Sequence, residues 1–334
     1  MGETFDGAGR GTVDWLLEPD EPGVRARTLT ALLGAAADDP EVAAAQRDAM
    51  KKGPVPRILE FARDGAWGEP AAFYTDKYGG TAWQLLMLAE LGADGADPRV
   101  GAACEFILAA SQERESGGFS IEASKRGLGG LRGKVIPCLG GNMVFALRRL
   151  GRAGDGRVAK ALEWIAATQR FDDGDGNPPG EWPWAGFEVC YGRHTCHMGA
   201  AKALKAFAEV PEDERSPAVR AAVAAGVEYF LAHRVFRRSH DLSAVARPGW
   251  LKFGFPLMYG TDALELAWVL ARLGCRDGRL GEAIDLVRSK RGSDGRWRLE
   301  NTFNGKYPVP VGEKGKPSKW VTLRALETLA AFGS

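Results

Sequence analysis

Apolar residues along this chain recur at helical spacing, as in Leu85, Leu88 and Leu91, and no stretch alternates convincingly with period two. Five segments carry the same pattern in register: GGTAWQLLMLAELG (79–92), CLGGNMVFALRRLG (138–151), CHMGAAKALKAFAE (196–209), TDALELAWVLARLG (261–274) and WVTLRALETLAAFG (320–333). Their first residues lie 59, 58, 65 and 59 positions apart. A period this long denotes a copied supersecondary unit whose helices bury their apolar faces against neighbouring copies.

A second helix repeats with the first. ACEFILAASQ, ALEWIAATQ, GVEYFLAHR and AIDLVRSKR place Glu105, Glu163, Glu228 and Asp285 in register. Gly92, Gly151 and Gly274 stop the first helix of their units, and Asp97-Pro98 and Ser216-Pro217 open the second. Further helices are predicted in VRARTLTALLGAAA, PEVAAAQRDAM and VPRILEFARD. The expected fold is all-α: an α/α toroid of about five to six helical hairpins, with residues 1–54 completing the ring and 55–334 forming the repeat array as one unit.

Connections from the first helix to the second are short, whereas those leading to the next unit (113–137, 171–195, 238–260 and 292–319) are long. All long loops therefore fall at one end, beside the N-termini of the first helices, where sites are expected.

Composition narrows the function. Lys and Arg total 44 against 43 Asp and Glu, which gives no basic field for nucleic acid. No apolar run approaches the roughly 20 residues of a membrane span. Five cysteines without a dense framework suit a reducing compartment, so the protein is expected in the cytoplasm.

The helix endings ALEWIAATQRFDDGDGNPPGEW, ACEFILAASQERESGGF and AIDLVRSKRGSDGRW resemble the Gln-Trp repeats of squalene and other terpene cyclases and of protein prenyltransferase β-subunits. The resemblance spans roughly residues 55 to 333 and implies a toroid with a central cavity for a hydrophobic, isoprenoid-like substrate. In Gly-x-Trp, glycine permits the reversal and Trp182 or Trp297 packs back over the helix as a structural residue.

Three kinds of chemistry are candidates at the long-loop end. Cys138 and the His194-Thr-Cys196-His197 run fall at the mouth of adjacent units, and thiolate with imidazole is a usual zinc ligand set. The sequence around His194 is similar to the zinc-binding Tyr-His-Thr-Cys of prenyltransferase β-subunits, and Cys138 matches their cysteine one unit earlier. The family's Asp ligand falls at Ile136, which leaves Cys196, Cys190 or His197 to substitute, or no zinc at all. Cys190-Tyr191-Gly192 and Cys196-His197 also resemble motifs of lanthionine synthetase-like cyclases, more closely spaced here. Buried structural cysteines are the plain alternative.

The second candidate is Asp262, near the start of a first helix, where a desolvated carboxyl group would protonate an alkene; a helix-opening carboxylate is its plain alternative. The Asp-x-Asp-Asp of protonating terpene cyclases is absent. Tyr259 accompanies Asp262 as a catalytic candidate, and Trp83 and Trp320 are expected in an aromatic cavity wall with them. The third is an anionic head-group site from Asp76, Lys77 and Tyr78 with Lys314, Lys316 and Lys319; solvated loop lysines are its plain alternative. The other functional class is a non-catalytic toroid that binds a peptide or protein partner.

Overall fold

The computed structural model describes residues 9–125, 129–174 and 176–333. Fourteen α-helices lie among them: α1 (Arg10–Leu16), α2 (Pro22–Ala31), α3 (Pro40–Ala49), α4 (Pro54–Glu60), α5 (Thr81–Glu90), α6 (Pro98–Ala110), α7 (Pro137–Leu147), α8 (Gly156–Thr168), α9 (Glu188–Tyr191), α10 (His197–Phe207), α11 (Pro217–Ala232), α12 (Ala263–Arg272), α13 (Gly281–Ser289) and α14 (Lys319–Ala330). The only paired strands among the described residues are β1 (Arg237–Arg238) and β2 (Asp241–Val245). This small antiparallel hairpin is absent from the sequence expectation because its exposed residues carry too little apolar alternation to register.

Two kinds of helix alternate along the chain. α5 and α7 are buried on every side, and α10, α12 and α14 nearly so. α6, α8, α11 and α13 bury one face only. Helices that are apolar all round belong in an interior and amphipathic ones at a boundary, so the first helix of each unit is inner and the second outer. Packing follows the chain: α5 lies on α7, α7 on α10, α10 on α12, α12 on α14, and α14 on α2. α2 in turn approaches the end of α5 so closely that a Cβ on Gly23 would stand 2.4 Å from the Leu91 carbonyl oxygen.

The expected boundaries correspond to physical devices. Gly92, Gly151 and Gly274 follow their inner helices with φ of 75°, 78° and 82°, a conformation that glycine adopts without a Cβ penalty. Asp97, Asp155 and Ser216 accept N–H bonds at the N-termini of α6, α8 and α11. Two of the acidic residues in register on the outer helices, Glu105 and Glu228, tie successive units together through arginines. Arg157 makes a two-pronged pair with Glu105 at 2.9 and 3.0 Å, and Arg279 does the same with Glu228 at 2.7 and 2.9 Å. Both arginines also close back on their own helix caps, Asp155 and Asp277.

Trp297 is fully buried; its indole N–H donates to Val287 O and its backbone N–H to Thr322 Oγ1. Trp67 repeats the arrangement with Ile58 O and Thr81 Oγ1. The shared Asp-Gly-x-Trp at 64–67 and 294–297 is the signal that joins them, although Trp67 precedes the first aligned segment.

Charged residues meet where the inner helices converge. Glu90 of α5 is paired with Lys205 of α10 and, at 3.0 Å, with Arg324 of α14. Glu265 of α12 accepts from Lys205 at 2.8 Å and from Lys202 at 2.6 Å. Helices that are not neighbours in the packing order thus touch through a buried ionic cluster.

Candidate functional site

The segment leading into α5 carries Tyr74, Lys77 and Tyr78, and the loop before α12 carries Tyr259. These converge with Trp83 on α5 into one aromatic group. Tyr78 and Tyr259 are stacked with ring centres 6.3 Å apart, and Trp83 meets their rings edge-on at 5.1 and 6.2 Å respectively. Phe303 closes the side behind Tyr78 at 4.6 Å. Trp83 is fixed by its indole N–H, which donates to Tyr74 O at 2.8 Å. The ammonium of Lys77, an exposed residue, lies 4.7 Å from the Tyr259 ring centre, 5.2 Å from Tyr74 and 5.9 Å from Trp83. Three ring faces therefore attend one cation at a solvent-accessible rim.

Asp262 is 1% exposed and caps α12, accepting the backbone N–H of Glu265 at 2.7 Å and of Gly254 at 2.8 Å. Burial raises its carboxyl to about 7 even though both of these bonds favour the ionised form, and the charge of Glu265 adds to the rise.

The expected head-group residues separate. Lys319 turns toward the N-terminal segment, paired with Asp20 and, at 3.0 Å, with Glu18. Trp320 stacks on Phe255 at 4.8 Å with parallel rings. Neither is seen in contact with the Tyr78–Trp83–Tyr259 group.

Burial and the neighbouring thiols push Cys138 well up, and burial and Cys196 raise Cys190 to about 12. His194 is exposed, its Nδ1 packed where a Cβ on Gly174 would lie, while Cys138 is buried. Among the described residues no group of three or more His, Cys, Asp or Glu is placed to hold a metal ion. As placed, Cys138, His194, Cys190 and Cys196 do not make the ligand set that zinc requires.

A further polar group was not legible from single positions. His197 stacks on Trp250 at 4.0 Å, and its Nδ1 lies 3.1 Å from the Tyr229 hydroxyl. His233 faces it, with Nε2 3.3 Å from Asp173. The residues come from α10, α11 and two loops, and no spacing in the sequence joins them.

No family model matches the chain, and no curated protein matches it. Among solved structures it is similar to a protein from Actinoplanes, with 19% identity over 99% of this chain and 100% of that one and a TM-score of 0.47. It is also similar to the type II terpene cyclase MstE from Scytonema. With geranylgeranyl dihydroxybenzoate bound, that enzyme aligns at 13% identity over 99% of this chain and 96% of its own, with a TM-score of 0.44. Its apo form aligns at 14% identity over 98% and 96%, with a TM-score of 0.45. Among the described residues no helix is long and apolar enough to cross a membrane.

Proposed function

We propose that the inner helices, with α2 as the sixth, close an α/α toroid, and that the protein is an enzyme taking a hydrophobic, isoprenoid-like substrate at the end where those helices begin. The observation that carries this reading is the cation held against Tyr74, Trp83 and Tyr259. Ring faces that hold an ammonium also stabilise a developing carbocation once the substrate takes the place of the exposed Lys77 ammonium. In this reading Asp262 is the acid: it donates its proton to an alkene, the alkene carbon pair becomes a cation, and proton loss from the rearranged cation leaves an isomer of unchanged mass. A carboxyl group near its midpoint at neutral pH suits that role.

The test is incubation with acyclic polyprenes, followed by chromatography and mass spectrometry. An isomer of identical mass, lost in Asp262→Asn and reduced in Tyr259→Leu, is the expected outcome. Absence of any isomer, with no change in intrinsic fluorescence on adding the polyprene, overturns the reading.

A specific observation favours the alternative, a toroid that binds a peptide or protein. The inner helices are joined by buried ion pairs of Glu90, Lys205, Glu265 and Arg324, which leave less central space than an open cavity. A polyprene that neither binds nor reacts would decide for it.

A further inference from the structure

A cavity of about 470 Å³ opens where the inner helices finish, at the opposite end from Tyr259 and Trp83. Arg27, Arg149 and Arg272 line it, with Trp268, Glu327 and Thr30. Trp268 is fully buried, and the guanidinium centres of Arg27, Arg149 and Arg272 stand 5.0, 5.9 and 4.9 Å from its ring centre.

The charges here do not balance. Glu327 is matched by Arg27 at 2.7 and 2.9 Å and also receives the Trp268 indole N–H. Arg149 approaches Glu209 at 3.2 Å, but that carboxylate is shared with Arg272. In the adjoining cluster Lys202, Lys205 and Arg324 pair with Glu90 and Glu265. The ion-paired set thus holds six cations against four carboxylates, with the carboxyl of Asp262, raised to about 7 by burial, acting on Arg324 beside it. Arg272 stands at the rim, where water answers part of its charge, whereas Arg149 is largely enclosed. Burial and the charge of Arg27 lower Arg149 to about 10, and burial lowers Lys202 to about 8. Uncompensated buried charge costs several kcal/mol in the general case, and an anion in the cavity would remove that cost.

We infer that this cavity binds a multivalent oxyanion of the phosphate class, a free phosphate or diphosphate group, held by the guanidinium N–H groups of Arg149, Arg27 and Arg272 that Glu327 and Glu209 do not take. Planar forks match the oxygens of such groups better than a point charge does. Thr30 also lines the wall, its hydroxyl donating to the Ala26 and Arg27 carbonyls of its own helix. The site is independent of the aromatic recess, and its readout is binding rather than turnover.

Calorimetric titration and thermal unfolding with inorganic phosphate and with pyrophosphate, at constant ionic strength set by chloride, test it. Saturable binding and a rise in Tm that grows with oxyanion concentration are expected. Arg149→Gln should weaken binding by at least about tenfold, the loss of one charge-assisted pair. Because that variant disturbs a buried cluster, Gln46→Glu serves as the second: Gln46 lines the cavity from the exposed side of α3, and a carboxylate there repels the ligand. It should lower affinity by a similar factor without lowering the Tm measured in the absence of oxyanion, because its carboxylate itself answers part of the arginine charge. No saturable binding by either anion, stabilisation equalled by chloride, or unchanged affinity in Gln46→Glu would each overturn the assignment.

Discussion

Lys205 Nζ lies 2.8 Å from Glu265 Oε1, and both side chains are 2% exposed. The same ammonium also pairs with Glu90, so one lysine of α10 holds carboxylates from α12 and α5. Such clusters contribute little net stability over a well-packed apolar core, but breaking one is costly because the remaining charges stay buried.

Lys205→Met should therefore destabilise the protein by about 3–5 kcal/mol, since it leaves Glu90 and Glu265 facing each other with less compensation. Urea unfolding measures it. The triple variant Lys205→Met, Glu90→Gln, Glu265→Gln should cost less than the sum of the single changes, because each removes a charge the others leave unmatched. Simple additivity would show that the three act separately.

A Cβ on Gly141 would stand 2.4 Å from both C and O of Lys202, so α7 and α10 are in contact backbone to backbone there. Gly141→Ala must push the helices apart, at about 1–3 kcal/mol, and shift Lys202 and Lys205 with them. Gly133→Ala, where nothing lies within 4 Å, is the comparison and should leave the Tm nearly unchanged. Equal Tm values for the two variants would contradict the close approach.

Thr322→Val keeps the shape of the side chain but removes the acceptor of the Trp297 backbone N–H. A buried donor left without a partner costs about 1–3 kcal/mol. Thr81→Val should cost a similar amount through Trp67. Chemical denaturation of both variants checks whether the two Asp-Gly-x-Trp turns are equivalent.

Asp262 sets a pH dependence of definite sign. Its folded value of about 7 lies above the value of about 3.9 for an unfolded chain, so the folded state holds the proton more tightly. That contribution to stability is complete below about 4, declines as pH rises from there to about 7, and is gone above it. Asp262→Asn should flatten this decline. On the acid side, burial tends to raise Glu265, but Lys202 and Lys205 hold it at about 2. Its contribution is present above the ordinary carboxylate range and is lost as pH falls toward 2. Unfolding measured between pH 2 and pH 9 on both proteins separates the two effects, and an unchanged slope between 4 and 7 in Asp262→Asn would refute the first.

The register of apolar positions located the inner helices well: α5, α7, α10, α12 and α14 begin within two residues of the expected Gly79, Cys138, Cys196, Thr261 and Trp320. It succeeded because inner helices have no polar face to blur the pattern. The same uniform burial hid the ionic cluster, since Lys202, Lys205 and Glu265 fall at positions a surface helix would give to solvent. Tyr78, Trp83 and Tyr259 were legible as candidates because each precedes or opens an aligned segment. Lys319 shared that position, yet Glu18 and Asp20 draw it elsewhere, and no repeat encodes where a preceding segment places its carboxylates. Lys77 was legible as a head-group candidate, whereas Tyr74 and Phe303 join the aromatic group through loop conformation, which periodicity does not report.

Arg27 of α2 and Glu327 of α14 are bonded across three hundred positions of sequence. A ribosome adding about 5–20 residues per second needs about 15–60 s to travel that distance. Throughout that interval α2 has been made and its final neighbour has not. Pairwise stacking of the intermediate hairpins can begin during synthesis, but the first helix cannot reach its final packing until the last one emerges. The nascent chain therefore carries an unsatisfied apolar and cationic edge until α14 is made, an aggregation hazard that the shielding of nascent chains by chaperones would relieve.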